Sequence, residues 1–391
     1  MAGINDIVFD GQYFMGNEGR VIDVVWGVDR TMKFRIVSDY TGDWKAQVIS
    51  SPNWLHLKNG QPTSQGTDIN LTGLEIKVDA VDSPWNGVDY KSGQIVLTAG
   101  RLRDTLTVRR VPVSYLMARS NVIMQGSGSS AKLTFAVTRD DNNNGMEAWS
   151  QGALFKWGSL VAVSPAGNPY NPAPHVIYNP TVSDPAGWGT GLMGWDNIPY
   201  GHDAKFGFVT PPGSGDDFDA FKTFNNGKGY NETAGFGDIC RYISSQPGWV
   251  EGKWRMPTYK ELLLLAEETP VQTAKIGTFT NITASMLEST HKYGKFNPQS
   301  GWFAGTSVNA STPSTANMQS PPEHVVFLPA SGQRYPNGDG SSVHVGAYGY
   351  YWSGTPYTTY SVNYFFMSKY GMDSNDADRS YAFPVRCIRD N

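Results

Sequence analysis

Gly349-Tyr350-Tyr351-Trp352-Ser353-Gly354-Thr355-Pro356, near the end of a 391-residue chain, packs three aromatics ahead of a Ser-Gly-Thr-Pro turn. Alternation follows at Tyr360, Val362, Tyr364 and Phe366, the period of a half-buried strand. Gly371-Met372-Asp373-Ser374-Asn375-Asp376-Ala377-Asp378-Arg379 reads as a polar hairpin tip, and Tyr381-Ala382-Phe383 brings the chain back. Val385-Arg386-Cys387-Ile388 then places one of only two cysteines in a closing strand. Free tails are polar and mobile, so this stretch is expected to be a central core element.

A chain of this length exceeds one ordinary core, and two or more domains are expected. Charged residues make up 17%, while 43 Gly, 24 Pro and 50 aromatics (12 Trp, 20 Tyr, 18 Phe) favour short strands and elaborate loops over long helices. The formal charge of −4, with no basic run, leaves nucleic acid without an electrostatic footprint. No apolar run reaches the roughly 18 residues of a membrane span. Met1-Ala2-Gly3-Ile4-Asn5-Asp6 contains no signal peptide and looks trimmed, which says little about compartment. Cys240 and Cys387 fit either one disulfide or two buried thiols. Bridged, they close a loop of about 150 residues, worth roughly 4–5 kcal/mol on chain-entropy grounds. Neither has a CxxC or His-rich neighbourhood that suggests a metal.

From Val21 to Arg110 the pattern is all β. Expected strands are Val21–Trp26, Met32–Val37, Trp44–Ile49, Leu71–Val78, Ser92–Leu97 and Thr105–Arg110, separated by turns such as Tyr40-Thr41-Gly42-Asp43. That spacing predicts an immunoglobulin-like sandwich. Its phrases Asp43-Trp44, Ser51-Pro52-Asn53-Trp54-Leu55, Tyr90-Lys91-Ser92-Gly93-Gln94-Ile95-Val96-Leu97 and Leu106-Thr107-Val108 resemble the BACON domain, a small β-sandwich of Bacteroidetes surface proteins. Arg109-Arg110-Val111 stands where that family usually closes on Gln. The resemblance implies carbohydrate binding or a spacer role. Trp44 and Trp54 are read as core residues, with sugar stacking as the alternative.

Beyond a linker or crossover strand at Val111 to Ser120, Gly126 to Ser130 reads as a hairpin tip between Asn121–Met124 and Lys132–Val137. Leu154 to Val163 reads as one central strand, and residues 164–235 as a long loop region whose aromatics require burial. Thr258 and Glu261 form a capping box ahead of an apolar stripe of Leu262, Leu265 and Ala266. A shorter helix near Ile239 is capped by Asp238.

Six phrases recur in one order: Phe155-Lys156-Trp157-Gly158-Ser159-Leu160, Gly237-Asp238-Ile239-Cys240-Arg241-Tyr242, Trp254-Arg255-Met256-Pro257-Thr258, Phe327-Leu328-Pro329-Ala330-Ser331-Gly332-Gln333-Arg334, Gly349-Tyr350-Tyr351-Trp352-Ser353 and Val385-Arg386-Cys387-Ile388-Arg389-Asp390. Over roughly residues 118–391 the chain resembles the Fibrobacter major paralogous domain, a branch of the C-type-lectin-like superfold that includes formylglycine-generating enzymes. The resemblance implies an α+β C-type-lectin-like domain with long loops, two helices flanking a small twisted sheet, and Cys240 joined to Cys387. It also implies exported surface lipoproteins and fimbria-associated adhesins of gut Bacteroidetes, lipid-anchored before processing, and hence an outer-membrane location. The domains are placed at 1–112 and 113–391. Arg255, Arg334 and Arg386 are expected to hold loops through charge-assisted hydrogen bonds.

Few motifs carry chemistry. Gly189-Thr190-Gly191-Leu192-Met193-Gly194 spells GxGxxG without the strand before or helix after it. Asp140, Asn142 and Asn144 open a calcium-loop pattern, but its twelfth position is Gln151, so a hairpin tip is the plainer reading. Asp216, Asp217 and Asp219, and Asp373, Asp376 and Asp378, are two further acidic groups read as solvated turns. Sugar-binding C-type lectins pair Glu-Pro-Asn or Gln-Pro-Asp with Trp-Asn-Asp around calcium. Tyr335-Pro336-Asn337 and Trp195-Asp196-Asn197 match neither. Six scattered histidines and no GxSxG elbow leave catalysis unsupported.

The function expected is therefore a non-catalytic cell-surface adhesin or fimbrial tip-type subunit, with no cofactor beyond an optional Ca²⁺. It would bind a glycan or surface protein, and other fimbrial subunits are further partners. Ligand contacts are sought at Trp188, Trp195, Trp302, Tyr335, Asn337 and Asp339. The alternatives are a divergent formylglycine-type enzyme and a purely structural module of a surface assembly.

Overall fold

The computed structural model describes residues 4–9, 20–38, 44–49, 53–57, 73–86, 89–99, 101–126, 128–138, 150–165, 174–182, 193–201, 213–269, 301–305, 325–336 and 340–390. The chain is β-rich and divides into two compact units, Met1–Leu116 with Asp390–Asn391, and Met117–Arg389. The sequence placed its division at 112/113.

In the first unit, two four-stranded sheets share one apolar cluster. One sheet runs Ile4–Phe9, Arg30–Ser38, Gly73–Val78 and Leu55–Leu57 in spatial order, and the other Val21–Val25, Leu102–Val111, Ser92–Ala99 and Trp44–Val48. Side chains alternate across a strand, so Met32 and Phe34 on one sheet and Ile95, Leu97, Leu106 and Val108 on the other all point into that cluster. Trp54 is buried there, as a core residue. Val21–Val25 pairs parallel to Leu102–Val111, which brings Asp23 beside Arg109 at 2.7 Å. Buried Arg110 donates to the carbonyls of Trp26, Val28 and Asp79 at 2.7, 2.9 and 2.8 Å. Both arginines of the unusual strand end thus hold structure in place. The strands Ile4–Phe9 and Leu55–Leu57 were not anticipated. Val113–Leu116 is a single helical turn instead of an extended linker.

The second unit is built on a six-stranded sheet whose centre is Leu154–Lys156 against Ala382–Pro384, with Phe155 opposite Phe383. The apolar run from Leu154 to Val163 does not form one strand. It breaks at Trp157–Gly158 and resumes at Ala162–Val163. Gly158 sits at φ +72, and a Cβ there would stand 2.3 Å from the Phe236 ring, so the turn demands glycine.

Among the described residues, this unit has two α-helices. Ile239–Ser245 starts on Asp238, whose Oδ1 accepts from the amides of Cys240 and Arg241. Tyr259–Glu268 starts on the capping box: Thr258 Oγ1 accepts from the Glu261 amide, and Glu261 Oε2 accepts from the Thr258 amide at 2.8 Å. Its buried face is Glu261, Leu262, Leu264 and Leu265, with Ala266 only half-buried. Leu264 takes the place expected for Ala266. Cys240 and Cys387 form a disulfide, both fully buried, across 147 residues of sequence. Cys387 precedes the short strand Ile388–Arg389, and its carbonyl accepts from the Ala118 amide.

Near the chain's end stands a three-stranded antiparallel sheet, Gly349–Pro356, Ser361–Ser368 and Gly371–Asp378. Residues 371–378, expected as a hairpin tip, form its third strand, while the turn falls at Lys369 and Tyr370.

Candidate functional site

Register decides what this terminal sheet presents. Tyr350 opposes Phe366 and Trp352 opposes Tyr364, so these four share one face. Tyr351 opposes Phe365 on the other. That second face also carries Ser374, whose Oγ accepts the Tyr259 hydroxyl at 2.6 Å from the helix Tyr259–Glu268. With a helix on one side, the aromatic face is left to the returning strand. Phe383 fills it, with ring centroids 4.0 Å from Trp352, 5.1 Å from Tyr364 and 5.3 Å from Tyr350. The indole of Trp352 donates to the Phe155 carbonyl at 2.8 Å, which fixes the inner layer.

An outer layer of rings lies on this one. Tyr381 lies 5.9 Å from Phe383 and 5.7 Å from Tyr335. Tyr348 stacks on Phe366 at 5.3 Å, and His344 meets Tyr348 edge-on at 4.6 Å. Tyr335, Tyr348, Phe366 and Tyr381 are half-buried and His344 is exposed. Nine rings thus form one array, fully packed at its base and partly open at its rim. The neighbouring edge strand adds exposed Asp373 and Asn375 to this face, opposite Phe366 and Tyr364, and carries exposed Asp376 and Asp378 on the other.

His344 adopts φ +63, a left-handed conformation that β-carbon sterics penalise by about 1–2 kcal/mol outside glycine. Its Nδ1 shares a 2.7 Å hydrogen bond with the Tyr350 hydroxyl. Strain kept at a surface ring cluster marks a position the fold over-determines, as functional sites do. Burial lowers the His344 pKa, so the ring is neutral at pH 7. The tyrosines shift the other way. Burial, then Asp376 and Tyr381, pushes Tyr364 up to about 12. Burial raises Tyr350 too, reinforced by Tyr364, Tyr348, Tyr335 and Tyr381. Burial with Tyr335 and Asp378 raises Tyr381. The site offers neutral hydroxyls, a neutral imidazole and ring faces.

Buried cations brace one flank. Lys156 Nζ donates to the Trp195 carbonyl at 2.7 Å and lies 4.4 Å from the Trp195 ring centroid. Arg334, fully buried, donates to the carbonyls of Ser164, Pro165 and Gly340 at 3.0, 3.2 and 2.9 Å. Burial alone brings its pKa down to about 9. Arg255 grips both Glu261 oxygens at 2.7 and 2.6 Å, and Arg386 donates to the Ala118 and Phe327 carbonyls. All three arginines expected to hold loops are engaged with carbonyls or a carboxylate.

The expected ligand contacts divide. Tyr335 lies in the array. Trp195 is instead a buried residue of a small core with Leu154, Val161 and Ile198; its indole donates to the Pro336 carbonyl at 3.1 Å. A Cβ on Gly340 would stand 2.8 Å from that ring. Trp302 is buried in the strand Gly301–Gly305. Neither tryptophan gives its ring to solvent, so both are corrected to core residues. Trp188, Asn337 and Asp339, and the calcium candidates Asp140, Asn142 and Asn144, lie outside the described residues. Asp219 pairs with Arg241 at 2.8 Å. Among the described residues, no group of three or more His, Cys, Asp or Glu is placed to hold a metal, and no helix is long and apolar enough to cross a membrane. Cys240 and Cys387 are joined to each other, so neither is a free thiol. His344, Tyr348 and Tyr381 were missed: Tyr348 and Tyr381 precede Tyr350 and Phe383 by two residues, but only the fold brings them to one rim with His344 and Tyr335.

The array falls within residues 299–388, which match a family model described as a domain of unknown function, DUF8237. No curated protein matches the chain. Among solved structures, a protein of unknown function from Porphyromonas gingivalis W83 is similar at 12% identity and a TM-score of 0.18, over 32% of this chain and 54% of that one. The match therefore spans about half of that protein's length.

Proposed function

We propose that this chain is a non-catalytic surface adhesin or fimbria-associated subunit that holds a glycan on the tyrosine array of its second unit. In this reading the first unit is an immunoglobulin-like, BACON-type sandwich serving as a spacer, and the second a C-type-lectin-like head. The observation that carries it is the array itself: rigidly backed, half-open rings with neutral hydroxyls, the kind of surface that stacks on sugar faces at little entropic cost. The bridge supports the non-catalytic side, since it occupies the only two thiols of the chain.

The test is a glycan array probed with the wild type and with Tyr335→Ala/Tyr381→Ala. Binding to at least one glycan class is expected, weakened about tenfold or more in the variant, or roughly 1.4 kcal/mol. Trp249→Ala, in a separate recess of about 430 Å³ beside Phe135 and Val250, is expected to bind as the wild type does. A wild type that retains no glycan, or a double variant that binds equally well, would sink the glycan reading.

A further inference from the structure

Two more tyrosines of the terminal sheet stand in solvent. Tyr357 and Tyr360, 64% and 63% exposed, occupy the turn between Gly349–Pro356 and Ser361–Ser368. Single exposed aromatics are common and need no explanation. This turn, however, is tied down throughout. The amides of Tyr357 and Thr358 donate to the Ser361 carbonyl at 3.0 and 3.1 Å. Thr358 Oγ1 accepts from the amides of Tyr360 and Ser361 at 3.2 and 3.0 Å. Beneath it lies Arg379, fully buried, with its guanidinium 4.6 Å from the centre of the Trp157 ring. That guanidinium donates to the Thr358 carbonyl at 2.6 Å and to the Gly201 carbonyl, while the Arg379 amide donates to the Tyr360 carbonyl at 3.1 Å. Burying a charge is costly, and here it goes to hold an exposed turn in one shape. A backbone held this way loses little freedom when a ligand arrives.

The turn also adjoins the array. Tyr381, on the array's rim, is two residues past Arg379, so the backbones of Tyr360 and Tyr381 lie within roughly 10 Å. The edge strand beside both exposes Asp373 on the array's face and Asp376 and Asp378 on the other, the last two close enough to act on Tyr364 and Tyr381, and the chain's formal charge is −4. Such a rim disfavours anionic ligands. We propose that Tyr357 and Tyr360 form a second subsite for the ligand held by the array, and that this ligand is a neutral, linear oligosaccharide long enough to reach both. The inference rests on the glycan reading and adds chain length and charge to it.

Titration calorimetry with maltose and maltohexaose, cellobiose and cellohexaose, and heparin tests it. The wild type is expected to bind a hexasaccharide about tenfold tighter than its disaccharide and to ignore heparin. Tyr357→Ala/Tyr360→Ala should bring the hexasaccharide down to the disaccharide's affinity and leave the disaccharide unchanged. Tyr357→Phe/Tyr360→Phe should keep most of the gain. Equal wild-type affinity for both lengths, equal weakening of both by the alanine pair, or preference for heparin overturns the second subsite. So does failure to bind either neutral series, whereas the array reading stands or falls on the wider glycan screen.

Discussion

At the scale of single residues, the chain spends charge and strain where a surface feature must keep one shape. His344 illustrates this. Its pKa is lowered in the fold by burial, against rings of Tyr348 and Tyr350. The unfolded chain therefore takes up its proton first. The corresponding stability is complete above about pH 6.5 and is lost as pH falls through the lower folded value. His175, lowered by burial and by Arg334, acts in the same direction. Thermal melts between pH 8 and pH 5 should show this loss. His344→Asn, which also tolerates a left-handed backbone, should show less of it. Equal pH slopes in the two proteins would mean that His344 contributes nothing. Arg379→Met removes the buried guanidinium under the Tyr357–Tyr360 turn and strands the two carbonyls it serves, of Thr358 and Gly201. A loss of about 2–4 kcal/mol in chemical denaturation is expected.

At the scale of elements, the helix Tyr259–Glu268 allows two effects to be compared. Thr258→Ala removes one side-chain cap and should cost about 1 kcal/mol. Glu261→Ala removes the other half of the box and also leaves buried Arg255 without its carboxylate, so about 3–5 kcal/mol is expected. Urea denaturation of both variants checks the order; a Thr258 loss as large as the Glu261 loss would show that the ion pair matters little. This helix was legible because Thr258, Glu261 and the leucines carry a complete local signal. Six strands of the first unit were legible for the same reason, alternation between turns, whereas Ile4–Phe9 and Leu55–Leu57 were not. Gly371–Asp378 was not, since its Gly, Asp and Asn disfavour strands and only pairing with Ser361–Ser368 makes it one. Leu154–Val163 misled in the opposite direction. Its apolar run is continuous, but the packing of Phe236 against Gly158 breaks it. In the site, the alternating Tyr364 and Phe366 announced a buried face. Tyr335, His344 and Tyr381 come from three separate segments and gave no joint pattern.

At the scale of the whole molecule, long-range closure dominates. The bridge between Cys240 and Cys387 fixes a loop whose entropy cost in the unfolded chain is worth roughly 4–5 kcal/mol. Cys240→Ala/Cys387→Ala should therefore lower the melting transition of the second unit markedly, and reductant at the same temperature should do likewise. A variant that melts with the wild type would place the stability of this unit in its packing alone.

The crosslink has a mechanical consequence as well. Tyr335, His344, Tyr348, Tyr357, Tyr360 and Tyr381 all lie between Cys240 and Cys387. A pull applied at the two ends of the chain passes straight through the sulfur–sulfur bond and skips the enclosed stretch. Such tension would stretch residues before Cys240 first and leave the stretch from Cys240 to Cys387 closed as a loop.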